Sequence, residues 1–199
     1  MTVTRILPAL ALVAALIVAG CGDDSDSANS GSHNGGGNGA DRAFAADMVL
    51  HHESALDMAK IAQDRGESPF VKRLADDIVR TQTKEITILS REDEALDTAG
   101  VTVGSLGVAE HMKGMDGDVA TLKKADPFDP AFMEMMVTHH EGAIEMANAE
   151  LKKGSDPELK ALAQDIIDAQ QREIDAMKKQ LGEAGSSDDA TPHGGGHSG

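Results

Sequence analysis

Two histidine pairs, His51-His52 and His139-His140, stand 88 residues apart in a chain of 199. Each pair lies among methionines: Met48 and Met58 bracket the first, Met136 and Met146 the second. Imidazole suits Cu, Zn, Fe and Ni, and thioether is a soft donor suited to Cu(I). The only cysteine is Cys21, close to the N-terminus. The chemistry these residues could do is therefore metal binding by His, Met and carboxylate, without thiolate. Two plainer readings stay open. A core histidine can be a hydrogen-bonded packing residue, and a methionine at helical spacing can simply fill the core.

The duplication extends well beyond the pairs. Phe44, Met48, Ala55, Met58 and Ala59 recur at the same offset as Phe132, Met136, Ala143, Met146 and Ala147. Downstream, Gly66, Pro69, Leu74, Gln82, Glu85 and Ile86 recur as Gly154, Pro157, Leu162, Gln170, Glu173 and Ile174. The chain is a tandem repeat of one unit.

Each unit reads as a helical hairpin. Phe44, Met48, His51, Ala55, Met58 and Ala62 step by four and three, which is one stripe of a helix. Gly66 ends it, and Ser68-Pro69 opens the next helix as N-cap and first helical residue. Val71, Ala75, Ile78, Gln82, Glu85 and Leu89 continue the stepping. In the second unit Asp129-Pro130 opens a helix, Gly154 closes it, and Asp156-Pro157 opens another. The expected fold is all-α: a ferritin-like four-helix bundle of two duplicated hairpins, residues 41–96 and 129–182. A long crossover, 97–128, joins them, with a short helix expected from Asp118 to Ala125.

The hairpin geometry brings in a second set of residues. The first loop centres near residue 67, so His51 and residue 83 both lie roughly 24 Å from the turn at 1.5 Å per residue. Gln82 and Glu85 are thus level with His51 and His52, and Gln170 and Glu173 with His139 and His140. An inward carboxylate must be paired, hydrogen-bonded or metal-bound. Glu85 and Glu173 either tie the helices together or orient or join ligating histidines. The crossover adds His111, Met112 and Met115, three donors close together in a Gly-containing stretch expected to be exposed. They form a second candidate copper site. His193 and His197, among glycines in the tail, could bind Cu(II) or Ni(II) weakly.

The ends carry signals of their own. Arg5 precedes an apolar run, Ile6 to Val18, too short for a mature membrane span and typical of a signal-peptide core. The run closes on Val18-Ala19-Gly20-Cys21, which resembles a bacterial lipobox. Residues 1–20 are expected to be removed and Cys21 lipidated, anchoring the protein to the outer face of the cell membrane. An ordinary secretory signal that leaves a free thiol is the alternative. Residues 21–40 form a Gly/Ser/Asn tether, and 183–199 a Gly/His tail.

The net charge of −16 argues against nucleic acid and anionic lipid surfaces as partners, since both need a basic patch. With no Tyr or Trp and four Phe, the core must be aliphatic.

The pattern Phe44-x3-Met48-x2-His51-His52-x2-Ala55-x2-Met58-Ala59, its repeat from Phe132 to Ala147, and Gln82-x2-Glu85-Ile86 with Gln170-x2-Glu173-Ile174 resemble the domain of unknown function 305 family. The resemblance covers about residues 41–182. It implies a ferritin-like bundle, exported or membrane-anchored, in a family some of whose members are associated with copper binding and tolerance. Many members carry a Met-rich segment between the repeats, here reduced to Met112 and Met115.

The leading expectation is an extracytoplasmic copper-binding lipoprotein serving buffering, delivery or tolerance, with copper or another transition metal as its ion and a copper-handling protein as a candidate partner. The first rival is a ferritin-like oxidoreductase with a carboxylate/His metal site. That chemistry uses Glu-x-x-His motifs, and none occurs here. The second rival is a metal-free interaction module whose histidines respond to protonation. No set of catalytic residues is recognisable, nor is a glycine-rich phosphate loop.

Overall fold

The apolar stripes fold into four long helices in the computed structural model, which describes residues 36–115 and 119–187. They are α1 (Gly39–Arg65), α2 (Pro69–Thr98), α4 (Phe128–Lys153) and α5 (Pro157–Ser187). A single turn, α3 (Val119–Leu122), lies in the crossover, shorter than the helix expected there. No strand occurs among the described residues. The lipobox, the leader and the tail histidines His193 and His197 lie outside the described residues.

The duplicated starts and stops act much as their chemistry demands. Ser68 Oγ accepts from the Val71 amide, and Pro69 follows as the first helical residue. Asp156 plays the same part for α5, accepting from the amides of Glu158 and Leu159 at 2.8 and 3.0 Å. Three helix ends differ from expectation. α1 starts at Gly39, ahead of residue 41, and Asn38 caps it in a reciprocal capping box with Asp41. Asp129 does not cap α4, whose N-cap is Pro127. At the far end, α5 continues past residue 182 to Ser187.

Asp41 and Asp129 are freed for another task, which the pseudo-symmetry repeats. Asp129 accepts from the amides of Glu67 and Ser68 in the loop of the first hairpin, at 2.9 and 2.8 Å. Asp41 accepts from the amides of Ser155 and Asp156 in the loop of the second, at 3.0 and 2.8 Å. Each hairpin's first helix therefore staples the other hairpin's turn. Burial alone would raise both carboxyls. For Asp129, hydrogen bonds from Glu67 and Ser68 outweigh it. For Asp41, contacts with Glu150, Asn38, Ser155 and Asp156 do so. Both carboxyls sit below their ordinary range.

Glu150, fully buried beside Asp41, has no counterpart in the first repeat, where Ala62 stands. Burial first, and then Asp41, push its carboxyl up to about 8. No N–H or O–H of the described residues donates to either of its oxygens. At neutral pH it therefore keeps its proton and donates to Asp41.

α1 packs on α2, α4 on α5, and the two hairpins meet mainly through α1 and α4. The core is divided along its length. One apolar cluster holds Ala55, Met58, Ile78, Phe132, Met136 and Met177; the other holds Phe44, Met48, Leu89, Met146, Leu159 and Ile166. All four long helices contribute to both. Between the clusters the same helices place His51, His52, Gln82, Glu85, His139, His140, Gln170 and Glu173. A polar layer crosses the middle of an aliphatic bundle.

Candidate metal centre

The crossing of α1 and α4 brings the two histidine pairs together. All four imidazoles are buried. The rings of His51 and His139 lie against one another, with centroids 3.8 Å apart and planes inclined by 40°. His52 stands 6.2 Å from His51, and His140 stands 6.3 Å from His139. The two histidine pairs thus meet at the pseudo-symmetric interface.

The carboxylates back the outer histidines, as the hairpin register predicts. His52 Nε2 lies 2.8 Å from Glu85 Oε2, although off the direction of a good hydrogen bond. His140 Nε2 lies 2.6 Å from Glu173 Oε2 and is well aligned. Glu85 and Glu173 sit behind the rings, in the position that fixes tautomer and orientation for a ligating histidine.

His51 is oriented by a group that its sequence context did not reveal. Its Nε2 donates to the main-chain carbonyl of Lys113, at 2.9 Å. The crossover turn is pressed onto the α1–α4 seam there. Gly142 makes room, because a Cβ at that position would collide with the Lys113 carbonyl. Gly114 adopts φ +69°, and a Cβ on it would meet the Thr138 carbonyl at 2.5 Å. The buried Lys113 ammonium is tied to Asp47 and Glu110, at 2.9 Å each. Burial would lower its affinity for a proton, and these two carboxylates outweigh that effect and raise it. A main-chain carbonyl has no sequence signature, but a glycine at 142 facing the site was an available clue.

With their Nε2 atoms so directed, the remaining nitrogens stand out. Nδ1 of His51, His52, His139 and His140 is buried without a hydrogen-bond partner, as is Nε2 of both His52 and His139. Oε1 of Gln82 and both amide atoms of Gln170 are also unpartnered. Buried polar atoms are ordinarily paired, so this layer has donors and acceptors open to water or an ion. Burial, and then the neighbouring histidines, lower the proton affinity of His51 to about 3. The same causes, burial and then His51, hold His139 well below its ordinary range. Both rings are therefore neutral at pH 7 and keep a lone pair for a metal.

The buried donors available in and around this layer are neutral imidazoles and thioethers, types that suit a soft ion. Among the described residues, no three His, Cys, Asp or Glu side chains come together as a ready metal cage. At a centroid separation of 3.8 Å the rings of His51 and His139 are in contact, so an ion would meet nitrogen atoms at their edges and not the space between their faces. Met48 and Met146 lie in one apolar cluster and Met58 and Met136 in the other, all fully buried, on either side of the histidine layer. On the crossover, His111 and Met115 are exposed, as expected. The backbone of Met112 closes the short turn Glu110–Met112. Lys113 and Gly114 between them are buried, so the segment is only partly open to solvent.

Comparison with known proteins agrees with the sequence pattern. A family described as a domain of unknown function (DUF305) matches residues 41–181. No curated protein matches the chain. Among solved structures, CopM in the Cu(I)-bound form is 32% identical, covers 72% of this chain and 96% of its own, and has a TM-score of 0.60. CopM in an Ag-bound form is 31% identical over the same shares, with a TM-score of 0.61. A DUF305 fragment from Deinococcus radiodurans is 30% identical, covers 72% of this chain and 96% of its own, with a TM-score of 0.60.

Proposed function

Given that the chain belongs to the DUF305 family, we propose that it is an extracytoplasmic lipoprotein that binds copper at the His51–His139 seam. One observation carries the reading: four buried imidazoles meet between the two repeats, and the Nδ1 atom of each lacks a partner. Glu173 and the Lys113 carbonyl orient two of these rings, and Glu85 lies beside a third. His52 and His140 complete the centre, and Gln82 and Gln170 line it. Copper bound to CopM supports the choice of ion. His111, Met112 and Met115 act as an outer acceptor, consistent with the exposure of His111 and Met115. Buffering or delivery suits a chain that offers ligands and no recognisable reaction machinery.

The metal is tested by competition titration against a Cu(I) chelator, with Zn(II) in parallel. Copper should be taken up in preference to zinc, because imidazole and thioether without thiolate favour it. A Met112→Leu, Met115→Leu variant should lose the weaker of two copper equivalents. Zinc uptake equal to copper would overturn the choice of ion, and an unchanged variant would remove the crossover from the site.

The anchor rests on Val18-Ala19-Gly20-Cys21. Cells fed a labelled fatty acid should label the wild type and not Cys21→Ser. Equal labelling of both would end the lipoprotein reading.

A further inference from the structure

The histidine layer is closed on one side and approachable on another. Across the α1–α4 seam the crossover lies directly on the site through the Lys113 carbonyl. On the opposite side α2 and α5 touch only lightly. Between them runs a groove of about 500 Å³, a size suited to a small molecule. Phe70, Leu74, Ala169 and Ala176 form its apolar walls, and Glu173 lines it. Glu173 is the carboxylate that touches buried His140, and its side chain is about one-fifth exposed, at 21%. The groove therefore reaches the group that holds the metal centre's outer histidine.

Its charge is the reverse of the molecule's. On a chain of net charge −16, the groove is lined by Arg73, Arg80 and Arg172 against two carboxylates, Asp77 and Glu173. Asp77 is committed to Arg80, at 2.5 Å, and Glu173 to His140. Arg73 and Arg172 are exposed and make no ion pair among the described residues. The duplication does not demand these arginines. The positions related by 88 residues are Ala161 for Arg73, Asp168 for Arg80 and Lys84 for Arg172. The basic groove is a local feature of one end of the α2–α5 face.

We propose that this groove is the loading route of the metal centre, and that its arginines accept copper delivered as a small anionic chelate rather than as the free cation. The proposal rests on the metal-binding reading above and names the form of the cargo. A bare cation is repelled by guanidinium groups placed across its path. An anionic complex is attracted by them, and Arg offers planar two-point contacts to carboxylate groups on the chelator. The apolar walls take the chelator's hydrocarbon, and Glu173 marks where the groove meets the histidine layer. No redox step is involved: Cu(I) exchanges one set of ligands for another, and the chelator leaves as the anion.

The test uses the full chain and two Cu(I) donors, the anionic bis-bicinchoninate complex and the cationic acetonitrile complex. Loading is followed by stopped-flow absorbance for the first donor and by later chelator challenge for the second. In an Arg73→Gln, Arg172→Gln variant, loading from the anionic donor should slow by about tenfold or more, the scale of electrostatic steering into a charged cleft. Loading from the cationic donor should stay the same or quicken, and equilibrium affinity should be unchanged. Added salt should narrow the difference between wild type and variant. Lys84→Gln, at the pseudo-symmetric position, should load like wild type. Both substituted arginines are exposed, and circular dichroism confirms that the variants fold. Equal slowing from both donors, or no slowing, overturns the loading route while leaving the metal centre intact. A wild type that takes copper from neither donor overturns the metal-binding reading, and the route with it.

Discussion

Replacing His51 and His52 with Gln is expected to remove most of the copper-dependent rise in Tm while leaving the helical content of the metal-free protein intact. A ligand that binds only the folded state at a thousandfold excess over its Kd stabilises it by about 4 kcal/mol. For a bundle of this size that is roughly 10 °C in Tm. The variant removes two of the four imidazoles, including one of the facing pair, so little of this gain should survive. The matching change at His139 and His140 should have the same effect, because the rings of His51 and His139 meet in one centre. The metal-free proteins should also differ in acid. The folded state holds His51 neutral down to about 3, whereas the ordinary histidine value is 6.5. Between those values the unfolded chain binds a proton that the folded chain does not. Stability is therefore full above about pH 6.5 and falls as pH drops through that window. The Gln variant should lose less stability in that range. Thermal melts with and without Cu(I), at pH 7.5 and pH 5, measure both effects. A variant that is unstable without metal yet stabilised by copper as fully as wild type would show that the histidines are packing residues.

The second large effect is expected at the staples between hairpins. Asp41→Ala strips the partner from the amides of Ser155 and Asp156, and Asp129→Ala does the same for Glu67 and Ser68. Hydrogen bonds to a charged group contribute about 1.5–3 kcal/mol each, so each variant should lose on the order of 3 kcal/mol of unfolding free energy. The loss should shrink in acid. Folding lowers both carboxyls from the ordinary value of 3.8, so their contribution is present above that value and is lost as pH falls through the folded-state values. Glu150 has the opposite sign. Its carboxyl is raised from 4.5 to about 8, so between those values the unfolded chain releases a proton that the folded chain keeps. Stability falls as pH rises across that window. Glu150→Gln keeps a donor for Asp41 without the proton, and should raise Tm at pH 8.5 with little change at pH 4. Thermal melts of Glu150→Gln at these two pH values, and urea unfolding of both Asp variants at pH 7 and below pH 3.8, measure these effects. An Asp41→Ala protein as stable as wild type at pH 7 would show that the staple contributes nothing.

Much of this molecule is legible without coordinates because it is a repeat of amphipathic helices. A stepping of three and four fixes which face of each helix is apolar, and Ser68-Pro69 and Asp156-Pro157 mark helix starts through local hydrogen bonding. Antiparallel register alone puts Glu85 level with His52 and Glu173 level with His140, because both partners are counted from the same turn. Those contacts are local in the hairpin. The same offset of 88 residues also relates Asp41 to Asp129, but what they bind lies in the other hairpin, so periodicity gave no sign of it.

Tertiary structure decided what depended on how the hairpins cross. The contact of His51 with His139, the loss of proton affinity that follows from their shared burial, and the division of the methionines between two apolar clusters all arise at the α1–α4 seam. So does the Lys113 carbonyl at His51, which comes from a crossover with no period of its own and is recognised only through close backbone approach at Gly142. The basic groove likewise needs α2 and α5 side by side, since Arg73 and Arg172 are 99 positions apart in the chain. Sequence determined which residues could bind a metal and at what level of each hairpin they stand. Packing between the repeats determined that they meet, because helix stripes specify a buried face but not the element that will bury it.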